Sequence, residues 1–405
     1  MTALKEFFSR NLRSSGTLIA LLIVVIFFEI ATKGRLLMPD NISSLIQQNA
    51  YVLLLAVGMC MIIVALHIDL SAGSVVAFLG GCLGWFMYHH VCSWPLACLI
   101  TIVLGLLVGV WQGFWIAFVG IPAFVVTLAG QLIFRGLAIV IAGVTMSGFS
   151  NGFNDIANSG IPAWLDHIHL GAQGVSVNSG GPYWSGDYDL FTLLLTVICI
   201  VAYVYFWWRG RHAQIKHGLV PEGLGAAIIK VVCVCFGILA VGVLLAKGTE
   251  RTPIVLIICG VVIFVYSFIF RRTVYGRDIY AIGGNRNAAM MSGIKTRRID
   301  FALFVNMGFL ASIAAIVVTS RAGAATSLVG QNYELDAISA CFIGGAAVTG
   351  GVGRISGAMI GAILVGSLNM GMSILNVDSA WQQVVKGLVL LIAVVLDVSQ
   401  RVVRK

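Results

Sequence analysis

Charged residues are scarce in this sequence: Asp, Glu, Lys and Arg make up 10% of its 405 residues, against roughly 25% in an ordinary soluble domain. Apolar residues reach 59%. A soluble fold has no place for that surplus, because its surface must still be polar. Helices of about 20 residues facing lipid have room for it. The chain also lacks the alternating strands of about ten residues that mark a membrane β-barrel. The expected fold is therefore all-α, a polytopic membrane protein with about 10–12 transmembrane helices.

Other absences narrow the function. No G-x-x-x-x-G-K-[ST] phosphate loop occurs, so ATP hydrolysis by that route is excluded. The glycines of GGVGRISG at 350–357 lack the Lys-Ser or Lys-Thr that should follow. There is no HExxH, no GxSxG and no intramembrane pair of aspartates, which argues against an intramembrane enzyme. The nine cysteines include no CxxC pair and sit mostly inside apolar runs, where a thiol behaves as a small hydrophobe. No cofactor and no metal site are expected; a His-x-His at 167–169 is a weak metal hint. The net charge of +9 is not spread as basic stripes among aromatics but gathered between apolar runs. It reads as a topology signal rather than a nucleic-acid surface.

What is present is a train of twelve apolar segments, near 17–37, 45–66, 69–90, 95–118, 122–142, 190–208, 225–246, 253–270, 301–320, 334–352, 355–375 and 381–397. The first has no A-x-A cleavage site before or after it and is expected to be a retained span. Lys and Arg concentrate in the N-terminus, the 209–217 turn, the 271–298 stretch and the C-terminus. If every segment crosses, all four fall on one side, which the positive-inside rule makes cytoplasmic. The 143–189 connection has no Lys or Arg and falls on the other side, as an outer cap or receptor-docking surface. Small residues four apart, as in Gly105 with Gly109, Gly80 with Gly84, and Gly353, Gly357 and Gly361, form ridges that let helices approach closely.

One internal echo stands out. HIDLSAGSVVAFLGG at 67–81 and YELDAISACFIGGAAVTGG at 333–351 both place acids before a Gly-rich apolar segment. By the span count they run in opposite directions, the pattern of inverted repeats in transporters.

The 271–300 stretch carries seven basic residues around a small-residue centre, AIGGN, followed by NAAMMSG. Gly283 and Gly284 permit a sharp turn and Asn285 suits the cap of a short helix. That helix, with Ala288, Ala289 and Gly293, is either part of a solvated charged loop or a docking surface for a soluble partner. Among the ionisable residues near spans, Asp69, Glu334 and Asp336 read either as acids at helix N-termini or as gate residues. Arg135 should be buried against carbonyls or an acid. Asn49, Asn306, Asn369, Ser373, Trp381 and Gln382 are candidates for contact with a polar solute, or else ties between helices and interfacial anchors. Asn369 and Ser373 share a helical face.

These stretches resemble, in order, a known family. AIGGN-x-x-A-A-x-x-S-G-I at 281–294, DLSAGS at 69–74, IPAFVVTLAG at 121–130, ELDAI at 334–338, GGVG at 350–353 and WQQVVKG at 381–387 are similar to the monosaccharide permeases of bacterial ATP-binding-cassette importers. The likeness is greatest to the xylose-type and multiple-monosaccharide permeases. The resemblance implies a permease with no chemistry of its own, placed in the inner membrane. It also implies a second copy of the chain, a cytoplasmic ATPase and a periplasmic sugar-binding protein as partners. It makes 45–142 and 301–397 the inverted halves, 190–270 extra helices and 271–300 the coupling segment for the ATPase. The sugar, a pentose or hexose, would cross between two permease copies. The rival reading, an ion-coupled secondary transporter of a small polar solute, needs acids in mid-span, whereas these sit mainly at segment ends.

Overall fold

The computed structural model of the protein describes residues 12–143, 145–160, 189–216, 223–248 and 252–402. The helices in chain order are α1 (Leu12–Ala31), α2 (Pro39–Val64), α3 (Ala72–Tyr88), α4 (Trp94–Phe114, extended by a π-helical turn Trp115–Val119), α5 (Ala123–Ile141), α6 (Asn151–Asn158), α7 (Leu190–Lys216), α8 (Leu224–Lys247), α9 (Ile254–Arg272), α10 (Val274–Gly284), α11 (Arg286–Met291), α12 (Thr296–Ala322), α13 (Tyr333–Ile343), α14 (Ile355–Ile374) and α15 (Ser379–Val402). Among the described residues, eight helices are long and apolar enough to cross a bilayer, and three more apolar helices are shorter. The chain is an all-α, multi-pass membrane protein.

The core is built on α2 and α12. Over their most apolar stretches α2 is 83% buried and α7 11%, so α2 is a central post and α7 a peripheral helix. α2 opens with Pro39 in its first turn and Asp40 beside it, a start suited to fixed φ and to the positive helix end. α12 packs along α4, α2 and α3, while α13 and α14 pack together and against α2. Backbone contact through glycine sets these spacings. A Cβ on Gly109 would lie 2.5 Å from the Phe304 carbonyl, and Gly308 meets the Gly105 carbonyl with no room for a side chain. Gly357 and Gly361 do the same against the carbonyls of Gly344 and Ala340. The ridges of Gly105 with Gly109 and of Gly357 with Gly361 thus lie at helix crossings, where close approach substitutes for the missing hydrophobic drive, while Gly353, expected in the same ridge, precedes α14 and packs on Val64.

One expected span is broken. The segment 334–352 is helical only over Tyr333–Ile343; eleven residues reach roughly 16 Å, too short for a hydrocarbon core of about 30 Å. After it, 344–354 is irregular, with positive φ at Gly345, Gly350 and Gly351, conformations that glycine adopts without a Cβ penalty. The helix also starts deep in the bundle. Tyr333 stacks on Tyr51 at 3.6 Å between ring centroids, and Tyr51 is the midpoint of α2. The 324–332 segment therefore dips inward before α13 begins. The start of α3 is similarly recessed. Ile68 takes a hydrogen bond from Thr127 at 3.3 Å, and Ser71 faces Gly130. Those positions lie four to seven residues into α5, roughly 6–10 Å from its end.

Part of the 143–189 connection is an ordered cap. Met146–Ser147 pairs antiparallel with Ala324–Ala325. α6 lies on the end of α12, where Ser320 Oγ donates to the Phe153 carbonyl at 2.7 Å and accepts from Ala157 N–H at 3.0 Å. Residues 161–188, including the His167–His169 pair, lie outside the described residues.

Candidate functional site

Two places gather the residues singled out by the sequence. The first is a platform at the basic end of the bundle. Thr273 caps α10, accepting from Gly276 N–H at 3.3 Å. Asn285 then takes an extended conformation and its side chain accepts from Ala288 N–H at 3.0 Å, starting α11. Gly293, at φ +85, turns the chain back toward α12. The helix expected from NAAMMSG therefore exists, with the expected cap. Its faces divide unequally. Ala289 is 4% exposed and Gly283 is buried; a Cβ on Gly283 would collide with the Val64 carbonyl and lie 2.6 Å from Gly351 N. These two hold the platform to the bundle. Gly284, Asn285, Ala288 and Gly293 face outward, and a Cβ on Gly284 meets nothing within 4 Å. Met291 is 90% exposed and Met290 48%. Sequence reasoning missed these methionines. Their signal was an apolar pair in an otherwise polar stretch, a soft surface suited to a partner's groove.

The second place is a polar cleft of about 350 Å³ between α13 and α15, within the size range of small-molecule sites. Asp336, Ser339, Gln382, Gln383 and Lys386 are among the residues lining it. Asp336 is 4% exposed. Tyr51 donates to its Oδ2 at 2.6 Å, and Lys386 Nζ reaches Oδ1 at 3.1 Å and Oδ2 at 3.2 Å. Asn369 donates to Asn49 Oδ1 at 3.1 Å and adjoins the Tyr51 hydroxyl. The spacing of Ser379, Gln382, Gln383 and Lys386 on one face of α15 follows from the helical repeat. The other face carries Trp381, 66% exposed, with Val384, Leu388 and Leu391, an apolar stripe turned away from the cleft.

Other candidates fall elsewhere. Asn306 ties helices together, donating to the Tyr275 hydroxyl at 3.1 Å and accepting from Tyr266 at 3.3 Å. Ser373 is exposed near the end of α14. Asp69 is 1% exposed. Its Oδ1 accepts from Ser71 N–H at 2.8 Å and Ser71 Oγ at 2.6 Å, and Gln112 donates to that hydroxyl at 2.6 Å. Glu334 presses on Gly73, with a buried Oε2 that has no hydrogen-bond partner. Arg135 sits against carbonyls, donating to those of Ser327, Val329 and Gly330 at 2.8–2.9 Å. Among the described residues no group of His, Cys, Asp or Glu is placed to hold a metal.

Residues 41–394 match the family model described as branched-chain amino acid transport system / permease component. The xylose transport system permease protein XylH of Escherichia coli (strain K12) is 36% identical over 96% of this chain and 92% of its own. Its counterpart in Haemophilus influenzae (strain ATCC 51907 / DSM 11121 / KW20 / Rd) is 35% identical over 97% and 98%. The ribose import permease protein RbsC of Bacillus subtilis (strain 168) is 30% identical over 96% and 94%. No solved structure matches. The match runs from α2 through the platform to the cleft, and the chain belongs to this family of transport-system permeases, together with the monosaccharide permeases for xylose and ribose.

Proposed function

We propose that this chain is the membrane permease of an ATP-driven importer that carries a monosaccharide of the xylose type into the cytoplasm. The observation that carries the reading is the similarity to xylose permeases along nearly the whole chain, 96% of it. The permease supplies passage, and a separate ATPase subunit supplies the energy. The outward side of the platform, with Gly284 at the end of α10 and Ala288, Met290 and Met291 on α11, is the seat for that ATPase. The basic end is cytoplasmic, the termini lie on the same side, and the 143–189 connection faces the periplasm and the sugar-binding protein. This orientation is supported by Arg271, Arg272, Arg277, Arg297 and Arg298 around the platform and by the positive-inside rule.

Two copies of the chain form the translocating unit in the inner membrane. The recessed starts of α3 and α13 mark the two inverted halves, and their meeting inside the bundle supports that pairing. The cleft beside Asp336 offers amide, hydroxyl and charged groups at hydrogen-bonding reach of a sugar, as a polar pathway through lipid requires. Alternating access follows when closure of the ATPase moves α11 and tilts the halves apart.

The test is uptake of labelled xylose by proteoliposomes holding the permease, its ATPase and the sugar-binding protein. Uptake should need all three and ATP. Accumulation by the permease alone under an ion gradient would overturn the reading and make the chain a secondary transporter.

A further inference from the structure

The basic end holds an arrangement that docking alone does not use. Asp300 lies near the start of α12 with 1% of its side chain exposed. Arg286, the first residue of α11, donates to it through both terminal nitrogens, Nη1 lying 3.5 Å from Oδ1 and Nη2 reaching Oδ2. His67 Nε2 stands 3.0 Å from the same Oδ1. His67 belongs to the 65–71 segment that enters the bundle and delivers Asp69 and Ser71 to the start of α3. One buried carboxylate is therefore shared by the platform and the segment that feeds a recessed helix.

The surroundings make this a transmission point rather than a surface pair. The Arg286 side chain is 41% exposed, whereas Asp300 is sealed from water. A carboxylate so placed depends on its partners, because removing one leaves a buried charge uncompensated. When α11 moves under a docked partner, Arg286 moves with it. Asp300 must then follow, and His67 with it, or lose its main counter-charge. Neighbouring contacts join the same corner to the 350–353 segment. Gly351 N–H donates to the Val64 carbonyl at 2.9 Å, Tyr280 donates to the Gly353 carbonyl at 2.6 Å, and Leu66 packs on Gly350.

We propose that Asp300 is a positioning residue that couples the platform, through Arg286, to the 65–71 segment, through His67, and so to the opening of the bundle at α3. The inference rests on the docking reading of α11. Asp300 touches neither sugar nor ATP; it converts displacement of one helix into displacement of a segment that enters the membrane core.

The experiment uses the complete complex in proteoliposomes, with labelled xylose and ATP, and reads xylose taken up per ATP hydrolysed. Arg286→Gln and His67→Leu should each lower that ratio by about two- to thirtyfold, the range expected for residues that carry coupling between sites, while the ATPase stays bound and active. His67→Gln, whose side-chain amide still donates to Oδ1, should keep the ratio. The double variant should fall no further than the worse single one. An unchanged ratio in both single variants overturns the proposal. So does a parallel loss of hydrolysis and uptake, which marks a merely structural role, or independent losses that multiply in the double variant. The docking reading is tested separately by Met291→Asp, read as retention of the ATPase during purification. Full retention removes the platform, and with it this use of Asp300.

Discussion

The two recessed helix starts answer to the same sequence pattern, an acid ahead of a Gly-rich apolar run, but they treat their acids differently. At α3, Asp69 is fully engaged: Ser71 supplies two donors and Gln112 holds Ser71 in turn. The carboxylate closes the helix start and anchors it to α4. At α13, Glu334 has a buried oxygen without a partner, and Asp336 leans on Tyr51 and on Lys386 from α15. The first start is locked by its own loop. The second is held by contacts with other helices, and such contacts change when helices shift. The α3 start is thus tied into one unit by its own acid and shifts only as a body, whereas the α13 start is held by contacts between helices, and the cleft lies beside α13.

The strongest way to break this pairing is to drive the two starts apart. Gly73 sits against Glu334 and the Gly330 carbonyl, with Tyr333 Cβ at 3.3 Å from where a Cβ would lie. Gly73→Val should destabilise the bundle by about 3 kcal/mol, the upper part of the overpacking range, because a backbone carbonyl must yield. Thermal stability of the purified protein in detergent measures it. A variant as stable as the parent would mean the two starts do not meet. Next in size is Asp69→Ala. It leaves the Ser71 amide and hydroxyl without their acceptor in a buried site, a loss of about 1–3 kcal/mol. The same melting experiment applies, and a negligible shift would show that the α3 start is not locked by its acid.

Much of this was legible from the residues. Each of the twelve apolar runs contains a helix, because apolar length is written directly in composition and lipid permits few alternatives. The Asn285 cap was legible for the same reason, since a side-chain acceptor before an amide-rich turn acts locally. The break after Ile343 was not. GGAAVTGG is as apolar as a helix by average, and hydropathy does not separate a glycine-rich irregular stretch from a span. Four glycines without a Leu or Ile between 344 and 351 were the available sign. The inward facing of Ala289 was hidden because a helix of six residues has no periodicity long enough to fix its orientation. The contact of Asp300 with His67 joins residues 233 positions apart. Nothing local marks it except an acid standing alone after a run of arginines.

The smallest expected effect is also the most discriminating. Glu334→Gln keeps the shape of the side chain and removes its charge. If Glu334 were a cap equivalent to Asp69, the change would weaken the helix start, as loss of a capping acid does by about 1 kcal/mol. The structure argues the other way. The Glu334 Oε2 has no hydrogen-bond partner, burial outweighs what nearby Arg135 and the local backbone N–H groups return to its charge, and a charge so placed costs more to bury than an amide. The stability of Glu334→Gln should therefore equal or slightly exceed that of the parent, with a change below about 1 kcal/mol. Arg135 is near enough to feel that charge, but its hydrogen bonds go to the carbonyls of Ser327, Val329 and Gly330, so neutralising Glu334 leaves the guanidinium with its carbonyl partners. An acid that is expected to add little stability and yet stays buried at the α13 start is a candidate for a role in transport. Xylose uptake by the complete complex should accordingly fall in Glu334→Gln while the melting temperature holds. A lowered melting temperature with unchanged uptake would make the two helix starts alike after all.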